Sequence, residues 1–316
     1  MPTADNPLDV WIDTDPSIGV PFHEADDGFA LIQAFHSPEL RIRGISTTYG
    51  NAGLATTTRI ARDMAARFGG PAGINADHVH VGADAARNLG KPTAATEALR
   101  AALTERPLTY LALAPLTNLA TFLQLHSELA PRLQRVIFVG GRTPGVRFRA
   151  GRWNPYEFTD GNFHKDHAAA AVLLASAVPL TLVPVECALE LLLLPAELRR
   201  LGREGGEPGR HLATKARLWM TLWRACFAVP GGVVFDCFAV LAATHLHLLE
   251  TESRHAAITR PPPGPGPAAN IHPRRVHLAA RPAAGDDPGK PVLFCQRPRP
   301  EARSVLLERL LGRPHR

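Results

Sequence analysis

The chain reads as an α/β protein built on a mainly parallel open sheet flanked by helices, and three observations carry that reading. Short β-branched and apolar runs alternate with longer helical patterns as far as Pro184, two of those runs are apolar almost throughout, and no internal repeat or linker interrupts the series. The strand-like runs are Val10 to Asp13, Ile42 to Thr48, Leu108 to Ala114, Val136 to Val139 and Leu180 to Val183. Between them lie helical patterns at Asp27 to His36, Leu54 to Phe68, Ala94 to Leu103, Leu116 to His126 and Lys165 to Ser176. The runs at Leu108 and Val136 lack the polar alternation of a half-exposed strand, which suits central parallel strands covered on both faces.

Beyond Pro184 the alternation stops. Pro195 to Leu201, His211 to Phe227 and Phe235 to Leu249 read as helices, so residues 185–250 are expected to cap one end of the sheet. Arg260 to Pro267 is rich in Pro and Gly, and Pro282 to Pro291 is again turn-rich; both are expected to be exposed loops. A strand at Pro291 to Cys295 and a helix at Arg303 to Leu311 close the chain. The expected organisation is one domain over residues 1–316: a core to 184, a helical cap to 250, then C-terminal strands and a helix.

Composition narrows the function classes. An apolar share of 45% with 20% charged residues in 316 describes an ordinary globular chain with a sizeable core. The longest greasy run, Ala188 to Leu194, is interrupted by Glu190 and closed by Pro195, far short of a membrane span. No signal-like segment opens the chain, and Cys187, Cys226, Cys237 and Cys295 are scattered, as expected of buried thiols in a reducing compartment; a cytoplasmic location follows as an expectation. The net charge of +6 raises the question of a nucleic-acid partner. Its only local density is Arg297, Arg299, Arg303, Arg309, Arg313 and Arg316, which reads as a solvated surface, so neither nucleic acid nor membrane is expected as a partner.

The chemistry concentrates after the first strand. Asp13 and Asp15 share a side by the period of two, and Asp26 and Asp27 open the next helix, where free N–H groups favour negative charge. Four carboxylates meeting at the carboxyl end of a parallel sheet repel one another unless a cation neutralises them, and an oxygen-only set suits Ca²⁺ or Mg²⁺. Either pair alone would be read as a helix cap or an Asp-Pro turn. A metal-dependent phosphatase with an Asp-x-Asp nucleophile begins in the same way. No Walker-type phosphate loop occurs.

Asp13-Thr14-Asp15-Pro16 followed by Asp26-Asp27 resembles the Asp-x-Asp-Pro-Gly-x-Asp-Asp signature of the inosine-uridine type nucleoside hydrolases, with Ser17 to Ala25 inserted between its halves. Further likenesses follow in order over roughly residues 8 to 245. Ser46 to Asn51 is similar to the family's Thr-rich turn, Leu111 to Leu119 to its Pro-Leu-Thr-Asn-Leu segment, and Val139-Gly140-Gly141 to its Gly-Gly. Asn154, Asn162 and Asp166 stand at the family spacing, and Phe235 to Val240 resembles the distal His-Asp-Pro-Leu-Ala-Val.

The resemblance implies a nucleoside hydrolase-like fold and calcium-dependent hydrolysis of the N-glycosidic bond of ribonucleosides, a step of purine and pyrimidine salvage. It implies Ca²⁺ on Asp15, Asp27, the Leu113 carbonyl and Asp236, with Asp15 also as general base and Asp13 as support. Asp26, Asn51, Asn154, Asp160 and Asn162 would hold the ribose. Asp160 stands where the family carries a glutamate for the 5′-hydroxyl, in Thr159-Asp160-Gly161 for Ala-Glu-Phe. Phe235 replaces the histidine that protonates the leaving base. Trp219, Trp223 and Phe227 recur at helical spacing and form either a stacking platform for the base or ordinary core. His23 and His245 are alternative acids. A homologue that binds nucleoside but turns over poorly is the first rival, an Asp-dependent metal phosphatase the second. Homo-oligomerisation and base preference are open.

Overall fold

A computed structural model describes residues 2–146, 148, 159–260, 276–282 and 289–313. In chain order the first half runs β1 (Leu8–Thr14), α1 (Asp26–Phe35), β2 (Leu40–Thr47), α2 (Leu54–Phe68), β3 (Val79–Val81), α3 (Ala94–Glu105), β4 (Leu108–Ala112), α4 (Thr117–Leu125) and β5 (Leu133–Val139). It continues through α5 (Gly161–Lys165), α6 (His167–Ala175), β6 (Leu180–Val183), α7 (Val185–Ala188), β7 (Leu192–Leu193), α8 (Pro195–Glu204), α9 (Gly206–Lys215), α10 (Arg217–Phe227), β8 (Gly232–Val233) and α11 (Cys237–Thr244). The last elements are β9 (Leu249–Thr259), β10 (His277–Pro282), β11 (Lys290–Pro298) and α12 (Glu301–Leu310).

The main sheet has the order β10-β9-β11-β6-β5-β4-β1-β2-β3. All its pairings from β3 to β11 are parallel, and only the far edge, where β9 meets β11 and β10, is antiparallel. β4 and β6 are buried at every position, which is why these strands carry mostly apolar sequence. One core cluster packs around α1 and α11 with Ile12, Phe29, Ile45 and Phe238; the other fills the opposite face with Trp11, Tyr110, Phe122 and Phe138. Helices therefore cover both faces, as the alternation predicts.

The structure departs from the sequence reading in several places. The helix expected over Lys165 to Ser176 is broken at Asp166, whose Oδ1 accepts from Ala169 N at 2.9 Å and starts α6 afresh. The helix expected over His211 to Phe227 is broken at Ala216, where neither Gly nor Pro marks a stop. The helix expected from Phe235 to Leu249 is short, and Leu249 already begins β9, an 11-residue strand. The cap region also holds a two-stranded ribbon, β7 with β8.

Cys187, Cys237 and Cys295 are buried as expected, whereas Cys226 is exposed. Arg309, expected at a solvated surface, is buried against Glu39. No helix among the described residues is long and apolar enough to cross a membrane.

Candidate active site at the carboxyl ends of the strands

β1 delivers the first acidic pair and divides it. The Asp13 carboxylate turns back into the sheet, where Oδ1 accepts from Ser46 Oγ at 2.5 Å and Asn118 Nδ2 at 2.8 Å. Burial pushes Asp13 up to about 6, against the lowering effect of those two hydrogen bonds. Asn118 also receives Ala83 N at 2.8 Å, so Asp13 fastens the ends of β1 and β2 to the start of α4. Asp15 lies one residue past the strand and faces the turn after β2: Oδ2 accepts from Asn51 N at 2.6 Å and Oδ1 from Asn51 Nδ2 at 3.2 Å. A Cβ at Gly50 would overlap Asp15 Oδ2, so this close approach requires glycine.

The inserted segment leaves and returns to the same place. Ser17 Oγ donates to the Glu24 carbonyl at 2.7 Å, which closes the loop on itself. Ile18 is buried and fits over Gly28 in the first turn of α1, where a Cβ would stand 2.8 Å from its side chain. The second pair thus comes back to the first: Asp27 Oδ1 accepts from Thr14 Oγ1 at 2.5 Å and from Asp15 N at 3.0 Å. Asn51 Nδ2 donates to Asp27 Oδ2 at 2.9 Å as well as to Asp15, so one amide bridges two carboxylates.

Asp236, immediately before α11, completes a cluster. Carboxylate oxygens of Asp26, Asp27 and Asp236 lie within 4.8 Å of one another, all three groups are buried, and Asp26 Oδ1 has no hydrogen-bond partner. Burial, then mutual repulsion, pushes Asp26 and Asp236 well above the usual carboxylate range. Asp15 is raised well above it by burial and by Asp27; Asp27 is raised by burial and relieved by its hydrogen bonds, and Lys165 eases both. An all-oxygen set with an orphaned buried acceptor fits a hard divalent cation such as Ca²⁺. Asp15, expected among the ligands, is held by Asn51 beside this trio, whereas Asp26, expected at the sugar, stands within it.

A cavity of about 210 Å³ opens over the cluster, lined on one side by Asp26, Asn51, Leu113, Asp160, Asn162 and Asp236. Asn162 Nδ2 donates to the carbonyls of Leu113 and Val139, at 2.9 and 3.0 Å, and so ties the ends of β4 and β5. Asp160 is the N-cap of α5: Oδ1 accepts from Phe163 N at 3.1 Å and Oδ2 from Gly141 N at 2.7 Å. Burial raises Asp160 to about 6, opposed by these two backbone N–H groups. Gly141 makes this possible with φ +86°, a conformation other residues rarely adopt. Asn154 lies outside the described residues.

The apolar part of the lining is Trp223, Phe227, Phe235 and Val185. Trp223 stands 4.6 Å from Phe227 and 6.0 Å from Phe235, ring centre to ring centre. Trp219 packs instead against Phe29 in the core. Glu24, which the sequence reading did not single out, lines the cavity and accepts from both indoles, Trp219 Nε1 at 2.7 Å and Trp223 Nε1 at 3.1 Å. Burial raises Glu24, and the two indole N–H groups oppose it. Of the alternative acids, His23 is exposed on the insertion, and His245 lies at the far end of α11, 3.9 Å from Glu39.

The comparisons with known proteins agree with this architecture. Among curated proteins, the chain is 30% identical over 233 residues to "Uridine nucleosidase 1" of Arabidopsis thaliana, covering 66% of this chain and 65% of that protein. It is 26% identical to "Probable uridine nucleosidase 2" of Oryza sativa subsp. japonica, covering 75% and 74%. Two solved structures share its fold: the "Plant nucleoside hydrolase - PpNRh1 enzyme" has a TM-score of 0.77 at 24% identity, covering 96% of this chain and 99% of that one. The "Purine-Preferring Ribonucleoside Hydrolase from Gardnerella vaginalis" has 0.76 at 20%, covering 96% and 98%. The family's sequence model matches residues 10–264, from the strand that ends in Asp13 to beyond the helix behind Asp236, and this makes the chain a member of the inosine-uridine preferring nucleoside hydrolase family.

Proposed function

We propose that this protein hydrolyses the N-glycosidic bond of ribonucleosides, releasing ribose and the free base, in a calcium-dependent reaction. The observation that carries the proposal is the convergence of Asp26, Asp27 and Asp236 next to a cavity that Asp26 and Asp236 line together with Trp223, Phe227 and Phe235. Such a cavity is polar where a sugar reacts and apolar where a base leaves.

Asp27 and Asp236, with Asp15 and the Leu113 carbonyl beside them, would hold Ca²⁺. When bound, the ion supplies a Lewis acid that makes water more acidic and orients diols. Asp15 takes the water's proton at its carboxylate. Both amide donors of Asn51 and Asn162 are committed to protein acceptors, which leaves each Oδ1 to accept from a sugar hydroxyl. Asp26, which lines the cavity, accepts from another. Negative charge near C1′ favours the oxocarbenium character of the transition state. A phosphatase reading is disfavoured because Asp13, the group placed to act as nucleophile, points into the sheet, where Ser46 and Asn118 hold it.

A second reading, nucleoside binding with poor turnover, rests on Phe235, which faces the cavity and cannot donate a proton. Reducing sugar released from a nucleoside panel, in calcium and in chelator, separates the two. Release that chelator abolishes and calcium restores supports hydrolysis; binding without release favours the second reading, and release indifferent to chelator rejects the metal assignment.

A further inference from the structure

The feature that the family resemblance leaves unexplained is the insertion itself, and the geometry points to what it delivers: we infer that Glu24 is the residue that reads the nucleobase. This rests on the proposed nucleoside hydrolase reading and extends it to the base side of the cavity.

Three observations support the assignment. First, Glu24 lies in the aromatic half of the cavity, beside Trp223, Phe227 and Phe235, where a base would stack. Among the described lining residues, Glu24 is the charged group hydrogen-bonded to that aromatic set, which places it to meet a base edge. Second, its two hydrogen bonds both end on Oε2, from Trp219 and Trp223. Among the described residues Oε1 accepts nothing, so the carboxyl is fixed in orientation by one oxygen and offers the other to a ligand. Third, the segment is built to hold that pose. Ser17 Oγ pins the Glu24 carbonyl at 2.7 Å, Val20 N returns to Ser17 O at 2.9 Å, and Ile18 anchors the loop on α1. Polar groups that fix a ligand inside an apolar pocket are few and dominate discrimination, because a mismatched ligand leaves them unpaired.

Oε1 accepts, so the base it selects presents an N–H on the edge away from the sugar. Inosine offers N1–H there; purine riboside has the same ring system with a bare N1 acceptor and no such donor. Glu24→Gln tests this directly. The amide keeps an oxygen for the two indoles and turns an NH₂ toward the cavity, which replaces an acceptor with a donor.

The measurement is kcat/KM for inosine and for purine riboside in both proteins, expressed as a ratio of ratios, which cancels the intrinsic difference between the two leaving bases. The inosine preference is expected to fall by about tenfold or more in the variant, mainly through KM. A ratio unchanged within about twofold, or an equal loss on both substrates, overturns the inference and leaves Glu24 as an anchor for the indoles alone. If neither nucleoside releases ribose, the hydrolase reading fails separately, and the same ratio is read from equilibrium binding by tryptophan fluorescence. If the variant does not fold, the wild type is read with 1-methylinosine, which lacks the N–H. About tenfold weaker binding than inosine supports the assignment, and equal binding overturns it.

Discussion

Replacing Asp236 with Asn is expected to stabilise the metal-free protein and to abolish most of its stabilisation by calcium. Carboxylate oxygens of Asp26, Asp27 and Asp236 lie within 4.8 Å of one another, and two unit charges at that distance repel by roughly 3.5 kcal/mol at an effective dielectric near 20. Asp236 has two such neighbours, which makes roughly 7 kcal/mol at that spacing if all three ionise. The cluster relieves most of this by holding protons, which is why burial and repulsion raise these acids. Removing a charge ahead of α11 costs roughly 0.3–1 kcal/mol of helix-dipole interaction. A net gain of about 1–3 kcal/mol remains, which raises the melting temperature in chelator by roughly 2–6 °C.

The sign with pH follows from the raised values. A carboxyl whose folded value lies above its ordinary 3.8 adds most stability below 3.8 and loses that contribution as pH rises through the folded value. The variant's advantage therefore grows from mildly acid to neutral pH. Calcium reverses the order, since a ligand at about 100 times its Kd adds roughly 2.7 kcal/mol to the wild type and far less to a protein missing a ligand. Thermal melts of both proteins, in chelator and in millimolar calcium across pH, decide the matter. A variant that melts below the wild type in chelator at neutral pH would refute the reasoning, as would equal stabilisation of both by calcium.

Asp160→Asn removes a group raised from 3.8 to about 6, so in chelator the variant should gain on the wild type by about 2–3 kcal/mol as pH rises through that window; parallel melting curves against pH would contradict this. Phe235→His places a proton donor on the aromatic wall. Ribose release is expected to rise by about tenfold or more near pH 6 and to decline as pH passes about 6.5; a variant no faster than wild type at any pH would show that departure of the base is not aided from this wall. Gly50→Ala drives a methyl into Asp15 Oδ2, with an expected cost of about 1–3 kcal/mol in stability and loss of the calcium-induced rise in melting temperature; an unchanged rise would mean that Asp15 can move without consequence.

The parallel half of the sheet was legible because burial on both faces leaves its mark in sequence: Leu108–Ala112 and Leu180–Val183 are buried at every position and apolar at most. β9 was not, because Leu249–Thr259 runs polar from Glu250 to His255 and buries only Leu249, Arg254 and Ala256. Its strand state comes from partners on both sides and from cross-strand pairs such as Arg297 with Glu250 at 2.7 Å and Gln296 with Glu252 at 2.7 Å. At the site, the period of two put Asp13 and Asp15 on one side. β1 ends at Thr14, so the alternation no longer governs Asp15, and the two carboxylates face different partners. Phe235 at the cavity was legible through the family resemblance, and the Trp223–Phe227 pair from helical spacing. Glu24 was not, since its indole partners lie 195 and 199 residues away.

That long-range pairing bears on how an insertion can enter such a site without dismantling it. Lengthening a loop costs little in closure entropy, about 0.6 kcal/mol for each doubling, provided its ends return to the same geometry. Here they do, because the constraint lies outside the loop: Thr14 and Asp15 N on one side and the first turn of α1 on the other meet through Asp27 Oδ1. The acidic half of the cavity is therefore insulated from the length of the segment. The aromatic half is not, because Glu24 reaches Trp219 and Trp223 only by way of that segment. On the proposed reading, the added residues would change what the base meets and leave the sugar and cation side as the strand ends define it. Shortening the segment while keeping Asp26-Asp27 should consequently preserve calcium-induced stabilisation and alter base discrimination. Loss of both together would mean that Ile18 and Ser17 hold the acidic cluster as well.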